Sequence, residues 1–237
     1  MRLDQFFSEE FEYSRTKAQQ LIESGFVSVN NLTQNKVSYK IKESDKVEII
    51  SSFQFASLGG DKLYKAFNDF NYSVKNKVCL DIGASNGGFT DCMLQNGAKK
   101  VYALDVGECA LEEKIKNNPN VIVKDRTNAR SVTWEEIGEK CDFASIDVSF
   151  ISLKLILPNA YNLIKDDGEI IALIKPQFEA GKKYLSKKGI VTSQKVIDNI
   201  IQDIKDFAIQ TKFKVVNITN APIKENKNKE YLIWLKK

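Results

Sequence analysis

The stretch CLDIGASNGGF, residues 79–89, places three glycines within six residues, after an apolar run and before a helical pattern. A buried strand, a glycine-rich turn and a helix in this order are typical of the carboxyl edge of a parallel sheet, where doubly wound folds bind ligands. Gly83 and Gly87 let the backbone approach a ligand closely, and the helix start offers free amide groups. The stretch therefore predicts a ligand site in an α/β domain.

Strand and helix patterns alternate along the rest of the chain. The apolar strand patterns are VCLDI, KVYALDV, VIVKD, FASIDV, EIIALIKP, VVNIT and YLIWLK. Helical patterns lie between most of them, including a charged one in CALEEKIKNN, one in ISLKLILPNAYNLI at 151–164 and a long amphipathic one at 192–212. This alternation predicts a mostly parallel sheet covered on both faces. The last two strands are separated only by a loop, so we expect an antiparallel pair at one edge.

The first fifty residues follow a different pattern. Ser14 is suited to cap the start of a helix, and Gly25 stands where that helix must end. The alternating segments FVSVN and DKVEII follow, so two short helices and a small sheet are predicted. We expect a small α+β domain at 1–52, a connector at 53–61 and the larger α/β domain at 62–237.

The composition limits the chemistry and the location. The 237 residues carry a net charge of +4 and include no histidine, so any proton transfer must use Lys, Asp, Glu, Tyr or Cys. The four cysteines lack the paired spacing of a zinc site, and we expect neither disulfides nor a structural metal. With no apolar run of about 18 residues and no signal-peptide pattern at the start, we expect a cytoplasmic protein without membrane insertion.

Acidic residues at three successive strand ends narrow the choice of ligand. The spacing from Gly83 to Gly87 does not fit the dinucleotide fingerprint, and Asp81 would repel a pyrophosphate. Asp81 can bind an ammonium group, Asp105 both hydroxyls of a ribose, and Asp125 an adenine amino group. Together these groups describe S-adenosylmethionine. Each acid taken singly could instead cap a turn.

Four more polar residues stand at marked positions. Lys62 follows a Gly-Gly pair, Asp147 and Lys175 end two strands, and Glu230 begins the last strand. Convergent strand ends could form one pocket, in which a lysine serves as the base for methyl transfer to a ribose hydroxyl and the acids orient both ammonium groups. Residue types alone fit a pair of ordinary salt bridges at the sheet rim equally well.

The motifs taken together resemble a known family. They are SLGGDKL, LDIGASNGGFTD, ALDVG, DRTNARS, SIDVSFISL, LIKPQFEAGK, KKGIV and NKEYLIWL. They resemble the TlyA family, whose members are called both hemolysins and FtsJ-like ribosomal RNA methyltransferases, over essentially the whole chain. The resemblance implies a Rossmann-like methyltransferase sheet, S-adenosylmethionine as cofactor and 2′-O-methylation of a cytidine in ribosomal RNA. The family's catalytic Lys-Asp-Lys-Glu tetrad falls on Lys62, Asp147, Lys175 and Glu230.

The resemblance also assigns binding residues. The implied cofactor contacts are Asp81, Gly83, Ser85, Gly87, Gly88, Phe89, Asp105, Val106, Asp125, Asn128 and Asp147. The first fifty residues resemble a small RNA-binding domain first described in a ribosomal small-subunit protein, which implies phosphate contacts by Arg2, Arg15, Lys17 and Lys36. The loop GKKYLSKKG adds Lys182 and Lys183 beside the pocket. The alternative for each of these cations is an ordinary solvated surface.

Competing functions remain open from the sequence. The start at MRLDQ and the end at WLKK resemble a shorter subtype of the family, which favours the large-subunit RNA and leaves the small-subunit RNA open as a second substrate. We expect ribosomal RNA or a ribosomal subunit as partner, and a monomer or weak dimer. The alternatives are methylation of another acceptor, a cytolytic protein, and a non-catalytic RNA-binding assembly factor.

Overall fold

The computed structural model describes residues 1–11, 13–222 and 227–237, apart from the side chain of Thr16. The chain divides into two compact units, Met1–Leu58 and Gly59–Lys237. Each unit has its own hydrophobic core. In the described part of the chain, no helix is long and apolar enough to cross a membrane.

The first unit contains two short helices and a three-stranded sheet. The elements are α1 (Leu3–Glu10), α2 (Arg15–Glu23), β1 (Val27–Val29), β2 (Leu32–Thr33) and β3 (Val47–Ile49). The sheet is antiparallel, with the order β2-β1-β3. Ser14 caps α2 by accepting from the Lys17 backbone N–H at 3.2 Å, and Gly25 follows the helix with a φ of +73°. The predicted helices, caps and small sheet are confirmed.

The second unit holds the larger sheet. Its strands are β4 (Val78–Ile82), β5 (Lys100–Leu104), β6 (Val121–Lys124), β7 (Cys141–Ile146), β8 (Ile164–Ile174), β9 (Lys214–Asn220) and β10 (Tyr231–Lys236). The helices are α3 (Leu58–Phe70, which begins at the end of the first unit), α4 (Gly88–Gln95), α5 (Glu113–Lys116), α6 (Trp134–Ile137), α7 (Leu157–Leu163), α8 (Pro176–Glu179) and α9 (Gln194–Gln210). Because α3 begins at Leu58, the second half of the predicted connector is helical.

The order of the larger sheet is β6-β5-β4-β7-β8-β10-β9. Strands β4 to β8 pair in parallel, whereas β10 is antiparallel to both of its neighbours. The predicted parallel sheet and its antiparallel edge are therefore confirmed, although the loop before β10 lies partly outside the described residues. The strand order reverses at β4, with β5 on one side and β7 on the other, which creates the crevice where open α/β sheets bind ligands.

Two predicted helices differ from the structure. The charged segment after β5 forms only the single turn α5, because Pro119 lies shortly after its end and the segment has few apolar residues to bury. The segment 151–164 divides into a 3₁₀ turn at Leu153–Leu155 and the helix α7, in whose first turn Pro158 stands. Proline lacks the N–H that a continuous helix would need there and suits a helix start instead.

Candidate active site

A cavity of about 350 Å³ opens at the carboxyl end of β4, at the reversal of strand order. Its walls come from the ends of β4, β5 and β7 and from the loops that follow β5, β6 and β7. The lining residues are Ile82, Gly83, Ser85, Leu104, Asp105, Val106, Thr127, Asn128, Ala129, Asp147, Val148, Ser149, Ile151 and Ile156. Apolar walls with a few polar groups at this volume suit a nucleoside-sized ligand.

Gly83 is the point where the turn and the next strand end meet most closely. Its φ is +86°, and a Cβ atom there would lie 2.4 Å from the backbone oxygen of Asp147. The glycine is therefore required by the close approach of the Asp147 backbone, as well as by its own left-handed conformation. This contact brings the β4 turn and Asp147 to the same edge of the cavity.

Asp105 lies at the end of β5 with its carboxylate in the cavity wall. Oδ2 accepts from the Ser85 backbone N–H at 2.9 Å, and Oδ1 accepts from the Gly107 backbone N–H at 2.9 Å. Each oxygen keeps a further lone pair, so the carboxylate can still accept from two hydroxyl groups. The geometry fits the ribose contact predicted for Asp105, and the two backbone amides fix the direction of the carboxylate.

Asp81 takes a different position from the predicted one. Its side chain is fully buried and does not line the cavity. Oδ2 accepts from the Thr90 hydroxyl at 2.6 Å and Oδ1 from the Ser145 hydroxyl at 3.0 Å. Burial raises the pKa of Asp81 to about 7, with a smaller rise from the charge of Asp147, while the two hydroxyl hydrogen bonds act against the rise. Asp81 therefore joins β4, α4 and β7 inside the fold.

The raised pKa of Asp81 predicts a pH dependence of stability. Between pH 4 and pH 7 the folded chain keeps a proton on Asp81 that the unfolded chain has lost, so the free energy of unfolding falls as pH rises through this window. One proton corresponds to at most about 1.4 kcal/mol per pH unit. We expect the free energy of unfolding, measured with urea at pH 5, 6 and 7, to depend less on pH in Asp81→Asn than in the unmodified chain. An unchanged slope would contradict the assignment.

Four other predicted cofactor contacts also lie away from the cavity lining. A Cβ on Gly87 would meet the Leu111 side chain at 2.8 Å, so this glycine makes room for packing. Gly88 and Phe89 are buried in the first turn of α4. Asp125 accepts from the Cys109 backbone N–H at 2.5 Å, and this bond lowers the pKa of the exposed carboxyl group. Of the predicted contacts, those in the lining are Gly83, Ser85, Asp105, Val106, Asn128 and Asp147.

The four predicted catalytic residues, Lys62, Asp147, Lys175 and Glu230, form a quartet of two ion pairs. Lys62 Nζ lies 2.6 Å from Glu230 Oε2, and Lys175 Nζ lies 2.5 Å from Asp147 Oδ1. Lys175 also donates to the Ser149 hydroxyl at 3.0 Å. The four paired side chains are between 11% and 24% exposed, so water screens these pairs less than it screens typical surface salt bridges.

Strand register places the two ion pairs side by side. Tyr231 on β10 lies opposite Ile174 on β8, so Glu230 and Lys175 occupy neighbouring positions just beyond the paired residues. Asp147 lines the cavity already described, and Glu230 lines a second one of about 240 Å³ with Gln194, Asn220, Lys229 and Tyr231. Each ion pair therefore has one member in a cavity wall, Asp147 in the first cavity and Glu230 in the second.

Phe150 is a candidate functional residue that the sequence did not single out. Its side chain is 91% exposed, and its φ is +63°, which is unusual for a residue other than glycine. The ring contacts Phe178 at a centroid separation of 5.0 Å, and the Phe178 ring lies 5.9 Å from Lys175 Nζ. The only signal in the sequence is a bulky apolar residue a few positions after the end of a strand.

The first unit holds its predicted RNA-contacting arginines in a fixed arrangement. Arg2 Nε lies 2.8 Å from Oδ1 of the fully buried Asp4, and Arg15 Nε lies 3.0 Å from Oδ2. The Arg2 hydrogen bond is the largest of the contacts that hold the Asp4 pKa well below its usual range. Both arginine side chains remain about half exposed, at 41% and 56%.

The predicted lysine contacts have different surroundings. The Lys17 ammonium group donates to the Ala56 carbonyl and lies 4.8 Å from the centre of the Phe53 ring. These contacts join α2 to the last residues of the first unit. Lys36 is exposed in the first unit. Lys182 and Lys183 are exposed in a 3₁₀ turn (Lys182–Tyr184) shortly after α8.

In the described part of the chain, neither the cysteines nor a cluster of metal-ligating side chains forms a further centre. All four cysteines are free thiols, and Cys79, Cys92 and Cys141 are buried. Across residues 1–11, 13–222 and 227–237, no group of three or more His, Cys, Asp or Glu side chains is placed to hold a metal ion.

The reversed strand order, the adenosine-sized cavity and the adjacent quartet place the second unit in the class of Rossmann-like α/β methyltransferases. The family model described as FtsJ-like methyltransferase matches residues 55–237, and the S4 domain model matches residues 1–47. This chain belongs to the FtsJ-like methyltransferase family. The family resemblance predicted from the motifs is confirmed.

Similar proteins cover nearly the whole chain. Hemolysin A of Brachyspira hyodysenteriae is 43% identical, and the match covers 98% of each chain. The 16S/23S rRNA (cytidine-2′-O)-methyltransferase TlyA of Mycobacterium tuberculosis is 34% identical, over 94% of this chain and 84% of that protein. The solved structure of a candidate hemolysin of Streptococcus thermophilus is 37% identical, with a TM-score of 0.81, over 100% of this chain and 88% of that one.

Proposed function

We propose that this protein transfers a methyl group from S-adenosylmethionine to the 2′-hydroxyl of a cytidine ribose in ribosomal RNA. The observation that carries the proposal is the pair of ion pairs, Lys62 with Glu230 and Lys175 with Asp147, beside the cavity at the sheet's carboxyl edge. The match to the FtsJ-like family and the name of the Mycobacterium tuberculosis relative support it.

The first cavity fits the cofactor. Asp105 would accept from both ribose hydroxyls, and the apolar walls at Leu104, Val106 and Ile156 would enclose the flat adenine. Asp147 places a negative charge at the edge nearest the quartet, which suits a sulfonium cation. When bound, S-adenosylmethionine supplies a methyl group that is open to in-line attack.

Lys175 is the residue that takes the proton from the 2′-hydroxyl as that oxygen bonds to the methyl carbon and the sulfur–carbon bond breaks. The amine form of its side chain performs this step. Asp147 and Ser149 fix the position of Lys175 Nζ. Glu230 holds the Lys62 ammonium group, whose positive charge stabilises the oxygen while negative charge develops on it.

Binding of the RNA needs contacts beyond the reacting ribose. The exposed Phe150 ring contacts Phe178, whose ring lies 5.9 Å from Lys175 Nζ, and offers a flat face on which an unstacked base can lie. The first unit presents Arg2 and Arg15 to solvent. Lys36, Lys182 and Lys183 add exposed positive charge that can contact phosphates. We propose that the protein acts on a ribosomal subunit in the cytoplasm, as a monomer or weak dimer, with the large-subunit RNA as its first substrate.

Mapping of methyl groups tests the function directly. The purified chain is incubated with S-adenosylmethionine carrying a labelled methyl group and with isolated large or small ribosomal subunits that lack the modification. We expect label in the large-subunit RNA at the 2′-oxygen of a cytidine, detected as resistance of the adjacent phosphodiester bond to alkali. Label on a base would indicate another acceptor, and no label would favour a non-catalytic assembly factor. Cofactor-independent leakage from liposomes would favour a lytic protein.

A further inference from the structure

A partly buried carboxylate outside the quartet, that of Glu179, joins the loop after β7 to the segment after Lys175. Glu179 ends α8, the helix that begins directly after Lys175. Glu179 Oε2 accepts from the Ser152 hydroxyl at 2.6 Å, and Oε1 accepts from the Leu153 backbone N–H at 2.8 Å. Burial raises the pKa of Glu179, and these two hydrogen bonds act against that rise. The carboxylate thus serves as a double acceptor for one loop.

That loop carries Phe150. Ser149, just before Phe150, accepts from Lys175, and Ser152 and Leu153, just after it, donate to Glu179. The loop is therefore tied on both sides of Phe150 to the segment 175–179, and the ring of Phe150 itself contacts Phe178 in that segment. The left-handed backbone at Phe150 is unfavourable for a residue with a side chain, so such a conformation persists only where its surroundings hold it.

We propose that Glu179 is a positioning residue for RNA, which holds the Phe150 ring where a base of the acceptor strand stacks. The inference rests on the proposed function. Glu179 is absent from the lining of both described cavities, so it acts through the loop 149–153 and not on cofactor or ribose directly. A loss of Glu179 should affect RNA binding more than the chemical step.

A double-mutant cycle with Phe150→Ala tests this role. Base stacking on an aromatic ring is strong enough that we expect Phe150→Ala to raise KM for RNA about tenfold. We expect Glu179→Ala to raise KM several-fold, with kcat changed by less than about twofold. In the Phe150→Ala background, Glu179→Ala should have almost no further effect on KM, because the effects of two residues that act through one contact are not additive. An equal effect of Glu179→Ala in both backgrounds would refute the proposal.

Glu179→Gln is the matched control. Its amide oxygen can accept from the Leu153 N–H, and its amide nitrogen can donate to the Ser152 hydroxyl, so we expect KM within about twofold of the unmodified chain. Ser152→Ala removes one of the two hydrogen bonds, so its KM for RNA should lie between those of Glu179→Ala and Glu179→Gln. If Glu179→Gln impairs RNA binding as much as Glu179→Ala does, the carboxylate charge is responsible and the positioning role is wrong.

Amide hydrogen exchange gives a readout that does not depend on activity. In the cofactor-free protein, Glu179→Ala should speed exchange at Leu153 and its neighbours at least tenfold, whereas Glu179→Gln should not. Unchanged exchange in Glu179→Ala would overturn the inference even if RNA is methylated. If the unmodified chain does not methylate RNA, the proposed function is wrong, and the role of Glu179 in RNA binding is wrong with it. Faster exchange in Glu179→Ala would then show only that Glu179 orders the loop 149–153.

Discussion

Replacement of Lys175 by methionine is expected to lower kcat for RNA methylation by about 10²–10⁴-fold, the usual contribution of a general base. Methionine keeps much of the length of lysine but cannot accept a proton, and it leaves Asp147 without its ion-pair partner. Lys175 does not line the cofactor cavity, so the Kd for S-adenosylmethionine should change by less than about threefold. Single-turnover methyl transfer and calorimetric cofactor binding measure the two quantities separately.

Lys175→Arg separates charge from proton transfer. Arginine retains the ion pair with Asp147, but it stays protonated in proteins and cannot act as a base. We expect the arginine variant to fold like the unmodified chain and to remain as inactive as the methionine variant. Substantial activity in the arginine variant would show that the quartet works through charge alone.

Lys165→Met is a control at the other end of the same strand. Lys165 pairs with Asp142 at 2.6 Å near the start of β8, and its side chain is 45% exposed. Exposed pairs contribute about 0–1 kcal/mol to stability, so this variant should keep both its fold and its methylation rate. A comparable loss of activity in Lys165→Met would mean that removal of any lysine ion pair from β8 disturbs the site.

Asp147 and Lys175 could be predicted because each stands where an apolar run stops. Asp147 follows the strand FASI, and Lys175 follows EIIALI. A polar residue at that point must lie at the edge of the sheet, since the strand itself is buried. The sequence could not show which lysine pairs with which acid, because that depends on the order of strands and on the register between β8 and β10.

Asp81 and Asp105 illustrate the limit of the strand-end argument. Both acids belong to the end of an apolar run, but Asp81 is the fourth residue of β4 and Asp105 follows the last residue of β5. Inside a strand, the alternation of side chains decides which face a residue occupies, and Asp81 meets Thr90 of α4. Beyond the strand, the chain is free to turn its side chain into the crevice. A difference of two positions relative to the strand end therefore separates a buried acceptor from a cavity wall.

Phe150 and Glu179 were missed for another reason. An exposed phenylalanine has no periodic signal, and its left-handed φ is set by ties from Ser149 and Ser152 to residues about 26 positions away in the sequence. Such ties exist only once β7 and β8 are paired. Local propensity describes the conformation that a residue prefers alone, and here the tertiary hydrogen bonds impose a different one.

Gly83→Ala is expected to cause the largest loss of stability among single changes in the turn. The new Cβ would lie 2.4 Å from the Asp147 backbone oxygen, a contact that requires movement of one backbone or the other. The left-handed φ of +86° adds about 1–2 kcal/mol for any residue with a side chain. We expect a total loss of about 2–4 kcal/mol in the free energy of unfolding, which is typical of strain at a constrained backbone position.

The same change should also reduce function, because Asp147 is both the partner of Lys175 and part of the cavity wall. We expect cofactor affinity and methylation rate each to fall at least tenfold in folded protein at low temperature. Gly181→Ala is the matched control, since a Cβ there meets nothing within 4 Å and its φ of −64° suits alanine. Urea unfolding and cofactor titration of both variants test the argument. If Gly83→Ala matches Gly181→Ala in both measurements, the close approach of Gly83 to Asp147 does not determine the site.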